Sequence, residues 1–344
     1  MQSLFDPAVL FFLFGVLAGL ARSNLEIPPA ISKFLSLYLL MALGLKGGFA
    51  LSASGINAGV MTSLGLAVLL AVLVPLLGYW VLRRMLSGFD AAAIAATYGS
   101  VSAVTFVTAI QHLESQQIAF GGYMAAAMAL MESPAIILAV FMANALRQRQ
   151  AAGGVVQANG VAVLAGPGRM PSQAPGQAPA ASSLGKVLHE SLTDGAQLLL
   201  LGAMAVGMIS GEAGKAALEP FSGDLFKGML AFFLLDMGLM TARNLPQLRG
   251  QSPWLMAYAV LGPLTHATLA LALAWAFKVP MGDAILLVVL AASASYIAVP
   301  AVVRYAIPEA NPTLYFSLSL GITFPLNILL GIPLYTEVTK WVWA

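Results

Sequence analysis

Apolar residues run along this chain in ten long stretches, at about 8–22, 28–50, 58–82, 90–111, 118–146, 192–211, 220–242, 253–278, 281–303 and 312–338. Each meets or approaches the roughly 20 mostly apolar residues that a helix needs to cross a bilayer. Five stretches precede a central segment rich in Pro, Gly, Ala and Gln, and five follow it. Two of them are interrupted by polar, small residues. The fourth contains Gly99-Ser100-Val101-Ser102-Ala103-Val104-Thr105, and the ninth contains Ser293-Ala294-Ser295-Tyr296-Ile297-Ala298-Val299-Pro300.

The two interruptions lie in nearly constant register with other landmarks. Ser102 precedes Ser295 by 193 residues, Gly44 precedes Gly238 by 194, and Pro134 precedes Pro325 by 191. This spacing predicts a duplicated chain: residues 1–146 as one five-span repeat, 147–189 as a flexible linker, and 190–344 as the second repeat. An odd number of spans per copy turns the second copy upside down, the inverted plan of many secondary transporters. The expected fold is therefore an all-α integral membrane protein with ten transmembrane helices in a 5+5 inverted repeat. Its two discontinuous helices would cross near the membrane midplane.

Composition fixes the class. Of 344 residues, 60% are hydrophobic and 9% charged, against about a quarter charged in soluble domains. Without cysteine there is no disulfide or thiolate chemistry, and His112, His189 and His266 have no ligand spacing. The net charge of +2 offers no footprint for nucleic acid. The first apolar stretch follows Asp6 and lacks a basic leader region, so it reads as a span rather than a cleaved signal. Arg22, Lys33, Arg83, Arg84, Arg147, Arg149, Arg169, Lys186, Arg243, Arg249 and Arg304 gather on one side. By the positive-inside rule, that side is cytoplasmic in a bacterial inner membrane, with both termini outside and the central loop inside.

Unwound backbone inside a bilayer is tolerated where protein or a polar cavity satisfies it. Each restarted helix presents amide N–H groups and the positive end of its dipole, which suits an anion without help from lysine or arginine. Candidate substrate-binding residues are Gly99, Ser100, Ser102, Ala103, Val104, Thr105, Ser293, Ser295 and Tyr296. Such a pocket suits a small, planar, singly charged oxyanion. Small and hydroxyl residues also mark close helix packing, and that reading stays open. Glu132, beside Pro134 and an expected break in the fifth span, is the candidate cation-coupling residue, with Ser102, Ser295 and Asn327 as further cation contacts. Asp236 is expected to pair with Lys46 or to meet a neighbouring subunit. Intramembrane proteolysis is disfavoured, because Glu132 and Asp236 occupy unrelated contexts and the few histidines lie near loops. The chain is not expected to be an enzyme or to hold a cofactor beyond a bound Na⁺.

At these residues the sequence resembles the sodium-dependent bicarbonate transporter family, best known from cyanobacteria. The resemblance includes Glu26-Ile27-Pro28-Pro29-Ala30-Ile31-Ser32, Gly44-Leu45-Lys46-Gly47-Gly48, the Gly99 to Thr105 stretch, Glu132 to Pro134, Ala291 to Ser295, Ile307 to Pro312 and Ile332-Pro333-Leu334. It implies gate and core domains, a homotrimer in the lipid bilayer, elevator-like motion, and uptake of bicarbonate with Na⁺ where the broken helices cross. Tyr296 stands where the cyanobacterial pattern has an aspartate, and Ala103-Val104 stands where it has Gly-Ser. Another small carboxylate or oxyanion is thus the alternative substrate, and a sensor or scaffold built on the transport fold is a further alternative. A PII-like cytoplasmic regulator is a partner that the resemblance brings with it.

Overall fold

In the computed structural model, which describes residues 6–55, 57–158 and 195–344, every regular element is helical. Asp6 caps α1 (Pro7–Leu20) by accepting the Ala8 amide at 2.9 Å, with Pro7 in the first-turn position where its missing N–H costs nothing. α2 is Pro29–Ser54, and α3 (Ala58–Leu82) is capped by Asn57 through the Val60 amide. α4 is Gly88–Gly99 and α5 is Ala103–Ser115. α6 is Met124–Ala158, so the helix continues past position 147, where the linker is expected to begin.

The second half opens with α7 (Gly195–Glu219), which breaks its helical geometry at Gly211 (φ 55°, ψ −145°). A π turn at Pro220–Asp224 leads into α8 (Leu225–Asn244). Then follow α9 (Pro253–Ala276), α10 (Met281–Ala292) and α11 (Ala298–Ala306). α12 (Pro312–Leu318) passes through π turns at Ser319–Thr323 and Asn327–Gly331 into α13 (Ile332–Trp343). Seven helical stretches of the described residues are long and apolar enough to cross a membrane. The expected sixth and seventh spans fall within one of them, Gly195–Leu248.

Two helix pairs share one design. α2 packs on α7 and α1 packs on α8, both in parallel, because successive contacts climb both chains together. A Cβ on Gly44 would lie 2.4 Å from the Leu200 carbonyl oxygen, and one on Gly48 would lie 2.1 Å from that of Met204. In the other pair, a Cβ on Gly15 would lie 2.2 Å from the Leu235 carbonyl oxygen and one on Gly19 would lie 2.5 Å from the Ala242 Cβ. The absent side chains let the backbones touch, which is how helices associate when lipid is as apolar as leucine. Around this group stand α3 against α4 and α6, and α9 against α10.

One expectation is corrected here. The fifth span does not break near Glu132, because α6 runs without interruption through Pro134. Proline removes one backbone donor without ending this helix, and one residue before the Leu130 carbonyl that it deprives, the Gln197 amide donates to the Ala129 carbonyl at 2.9 Å.

Candidate functional site

α4 stops at Gly99, against which α3 presses Pro75. A Cβ on Gly99 would sit 2.6 Å from the Pro75 ring. The chain then extends through Ser100 and Val101, and Ser102 restarts the helix as the N-cap of α5. Its Oγ accepts the Thr105 amide at 3.2 Å and the Thr105 hydroxyl at 2.9 Å. On the other side α10 stops at Ala292, residues 293–297 are non-helical, and α11 begins at Ala298. Pro300 therefore falls in the first turn, where its lack of an N–H is harmless. Ser295 Oγ accepts the Val299 amide at 3.2 Å.

The two interruptions bond directly to each other. The Ser102 amide donates to Ser293 Oγ at 3.0 Å, and the Ser295 amide donates to the Thr97 carbonyl at 2.8 Å. Each first half-helix thus has a C-terminal carbonyl satisfied from outside its own helix. Thr97 is served by the opposite interruption. Ala292 is served by Asn327 Nδ2 at 2.8 Å, whose Oδ1 in turn accepts from the Tyr335 hydroxyl at 3.0 Å. Leaving such groups bare in a membrane interior costs several kcal/mol each, by the order of magnitude for buried unpaired amides.

A cavity of about 70 Å³ opens beside this junction, lined by Ser36, Ser102, Glu132, Gln197, Ser295 and Tyr296 on its polar side. Ala103, Val104 and Ala298, which carry first-turn amides of α5 and α11, complete it together with Val101, Leu40, Met128 and Leu200. No lysine or arginine is among the lining residues. Of the sequence candidates, Ser102, Ala103, Val104, Glu132, Ser295 and Tyr296 border the cavity. Gly99, Ser100, Thr105 and Ser293 do not, and Thr105 and Ser293 act by holding Ser102. Asn327 sits away from the cavity with both ends of its amide engaged, so the structure does not bring it to the other cation candidates.

Among the lining residues that the sequence reading did not single out are Ser36 and Gln197, whose only signal is an isolated polar residue in an apolar stretch, and Met128, which gives none. The expected pairing of Asp236 with Lys46 is also corrected. Lys46 Nζ lies 3.2 Å from Glu114 Oε1 and 4.6 Å from the centre of the Phe226 ring. The lysine stands between the Glu114 carboxylate of α5 and the Phe226 ring in the first turn of α8, away from Asp236 in the middle of that helix.

The sequence matches the Na⁺-dependent bicarbonate transporter superfamily over residues 7–340. The chain belongs to that superfamily. Comparison with the curated proteins finds no match. Membership makes this superfamily protein a transporter rather than an enzyme, and its apolar helices make it a multi-pass membrane protein. Among the described residues no group of three or more His, Cys, Asp or Glu side chains could hold a metal ion.

Proposed function

We propose that this superfamily member is a secondary transporter that takes up bicarbonate with Na⁺ at the junction of the two interrupted helices. The observation that carries the proposal is a cavity bounded by two helix starts and four hydroxyl side chains, with a carboxylate and no basic residue. Helix N-termini favour a singly charged anion there. Glu132 on the same cavity would repel that anion unless a cation arrived with it. Coupled entry of Na⁺ and bicarbonate is therefore the electrically balanced load, with Ser102, Ser295 and Glu132 as the oxygen donors for the cation.

The parallel α1/α8 and α2/α7 pairs support a 5+5 inverted repeat, since a two-fold axis in the membrane plane exchanges the two pairs. They also support an elevator-like division into a gate made of α1, α2, α7 and α8 and a core made of the rest. The homotrimer, the cytoplasmic side of the basic residues and the external termini belong to the same reading. So does a PII-like regulator, whose expected docking loop lies mostly outside the described residues. Radiolabelled bicarbonate uptake into proteoliposomes tests the proposal. Saturable uptake that rises with an inward Na⁺ gradient is expected, and uptake indifferent to Na⁺ would end the coupled reading.

Val104 and Tyr296 give the cavity an apolar, aromatic wall, which favours a second substrate class, a small organic carboxylate. Competition of labelled bicarbonate by formate, acetate and nitrate separates the two readings.

A further inference from the structure

A charged group within a membrane bundle is costly unless its charge is matched. Among the described residues, Asp236 has no ion-pair partner. It lies in the middle of α8, 5% exposed, among buried Phe233, Leu234, Leu235, Met237 and Leu239. Its Oδ2 has no hydrogen-bond partner among the described residues. α2 brings the Ser32 hydroxyl within reach, and Arg243, two helical turns along α8, acts only through space.

The other elements packed on α8 add little. α1 and the Ser319–Thr323 turn carry no ionisable residue. On α2, Lys33 is exposed, the Tyr38 hydroxyl donates to the Phe221 carbonyl, and Lys46 pairs with Glu114. Asp224 and Lys227 stand at the far end of α8. From the second interruption comes Tyr296, 3% exposed. Its hydroxyl donates to Met237 Sδ at 3.6 Å, on the residue beside Asp236, and it lies within range of the Asp236 charge. The same tyrosine lines the cavity, where the Ser102 hydroxyl is in its reach.

One carboxyl and one serine hydroxyl fall short of the roughly six oxygens that hard cations gather. A proton needs one. We propose that Asp236 is a proton-binding site, connected to the cavity through Tyr296, and that the cavity holds its anion best when Asp236 is neutral. This rests on reading the cavity as an anion site. A negative charge at Asp236 opposes an anion at Tyr296 in a medium that screens poorly, and a proton taken from water onto Oδ2 removes that opposition. Linkage then requires the converse, that bound anion favours the protonated acid.

The test uses the full-length protein and nitrate, a planar probe that keeps one charge throughout. Nitrate affinity is measured from about pH 5 to about pH 9, the region in which buried carboxyls titrate. Affinity of the unaltered protein is expected to weaken with rising pH by about 5- to 150-fold, the usual range of site coupling, while Asp236→Asn stays flat within about twofold. Asp236→Glu restores the slope, and Tyr296→Phe reduces it. A flat profile in the unaltered protein overturns the proposal, and so does the full slope in Asp236→Asn, which would pass the pH dependence to Glu132. Infrared spectroscopy reads the site without any anion: a protonated-carboxyl band that vanishes in Asp236→Asn supports it, and its absence overturns it. Failure of nitrate and bicarbonate to bind at every pH would instead remove the anion reading of the cavity, with the infrared band still deciding the proton site.

Discussion

Ser102 performs three tasks with one short side chain and its amide. Its Oγ caps α5 and holds the Thr105 hydroxyl, its N–H reaches across to Ser293, and its surface borders the cavity. Ser102→Ala removes the cap and is expected to lower stability by about 1 kcal/mol, read as a lower thermal midpoint, together with weakened anion binding. Ser102→Thr keeps the hydroxyl and is expected to recover most of the stability. Gly238 is the residue-scale counterpart in packing. A Cβ there would stand 2.2 Å from the Phe12 carbonyl oxygen, so Gly238→Ala is expected to cost about 1–3 kcal/mol, as overpacking does. Both roles show differently in the chain. Serines at alternate positions in an apolar stretch announce themselves, whereas Gly238 shows in the chain only as a repeat landmark, and its packing role comes from the helix that presses on it.

At the scale of elements, α11 is too short to hold itself and is anchored at its end. Arg147 from α6 donates to both carboxylate oxygens of Glu309 at 2.7 Å and to the Ala306 carbonyl at 3.0 Å. Hydrogen bonding to the guanidinium holds the Glu309 carboxyl below its ordinary value of 4.5. The sign follows from linkage. An acid whose folded value is lowered contributes fully above its unfolded value and loses that contribution as pH falls through the folded one. The stability difference between the unaltered protein and Glu309→Gln is therefore expected to be constant near neutrality and to shrink below about pH 4.5, where chemical denaturation would record it. The interrupted helices were legible as elements because Gly99 and the alternating serines weaken helical preference locally, while Pro300 suits the first turn of a restarted helix. The continuous path of α6 through Pro134 was not, because a proline kinks or ends a helix according to what surrounds it.

For the whole molecule, the contact that matters is the one between the proposed gate and the proposed core. Of the described ion pairs, Lys46–Glu114 joins the two, from α2 to α5, beside a cavity of about 190 Å³. Sliding of one group past the other must part this pair. The chain contains no cysteine, so Lys46→Cys with Glu114→Cys can be joined by a thiol cross-linker on a clean background. Cross-linking is expected to abolish uptake, and cleavage of the linker to restore it; undiminished uptake in the joined protein would exclude the sliding motion. Removing residues 150–185 is expected to leave uptake intact if that segment is a tether, and a scaffold would lose its role.

The membrane class, the helical fold and the two interruptions follow from sequence alone, because hydrophobic length and the placement of Gly, Ser and Pro act over a few neighbouring residues. Tertiary structure alone decided which polar groups meet: Ser102 with Ser293, Ser295 with Thr97, Lys46 with Glu114 rather than Asp236, and Asn327 with Ala292 rather than with the cavity. Hydrogen bonds and ion pairs form over about 3 Å, a distance set by how helices far apart in the chain are stacked. No periodicity within one helix encodes that distance.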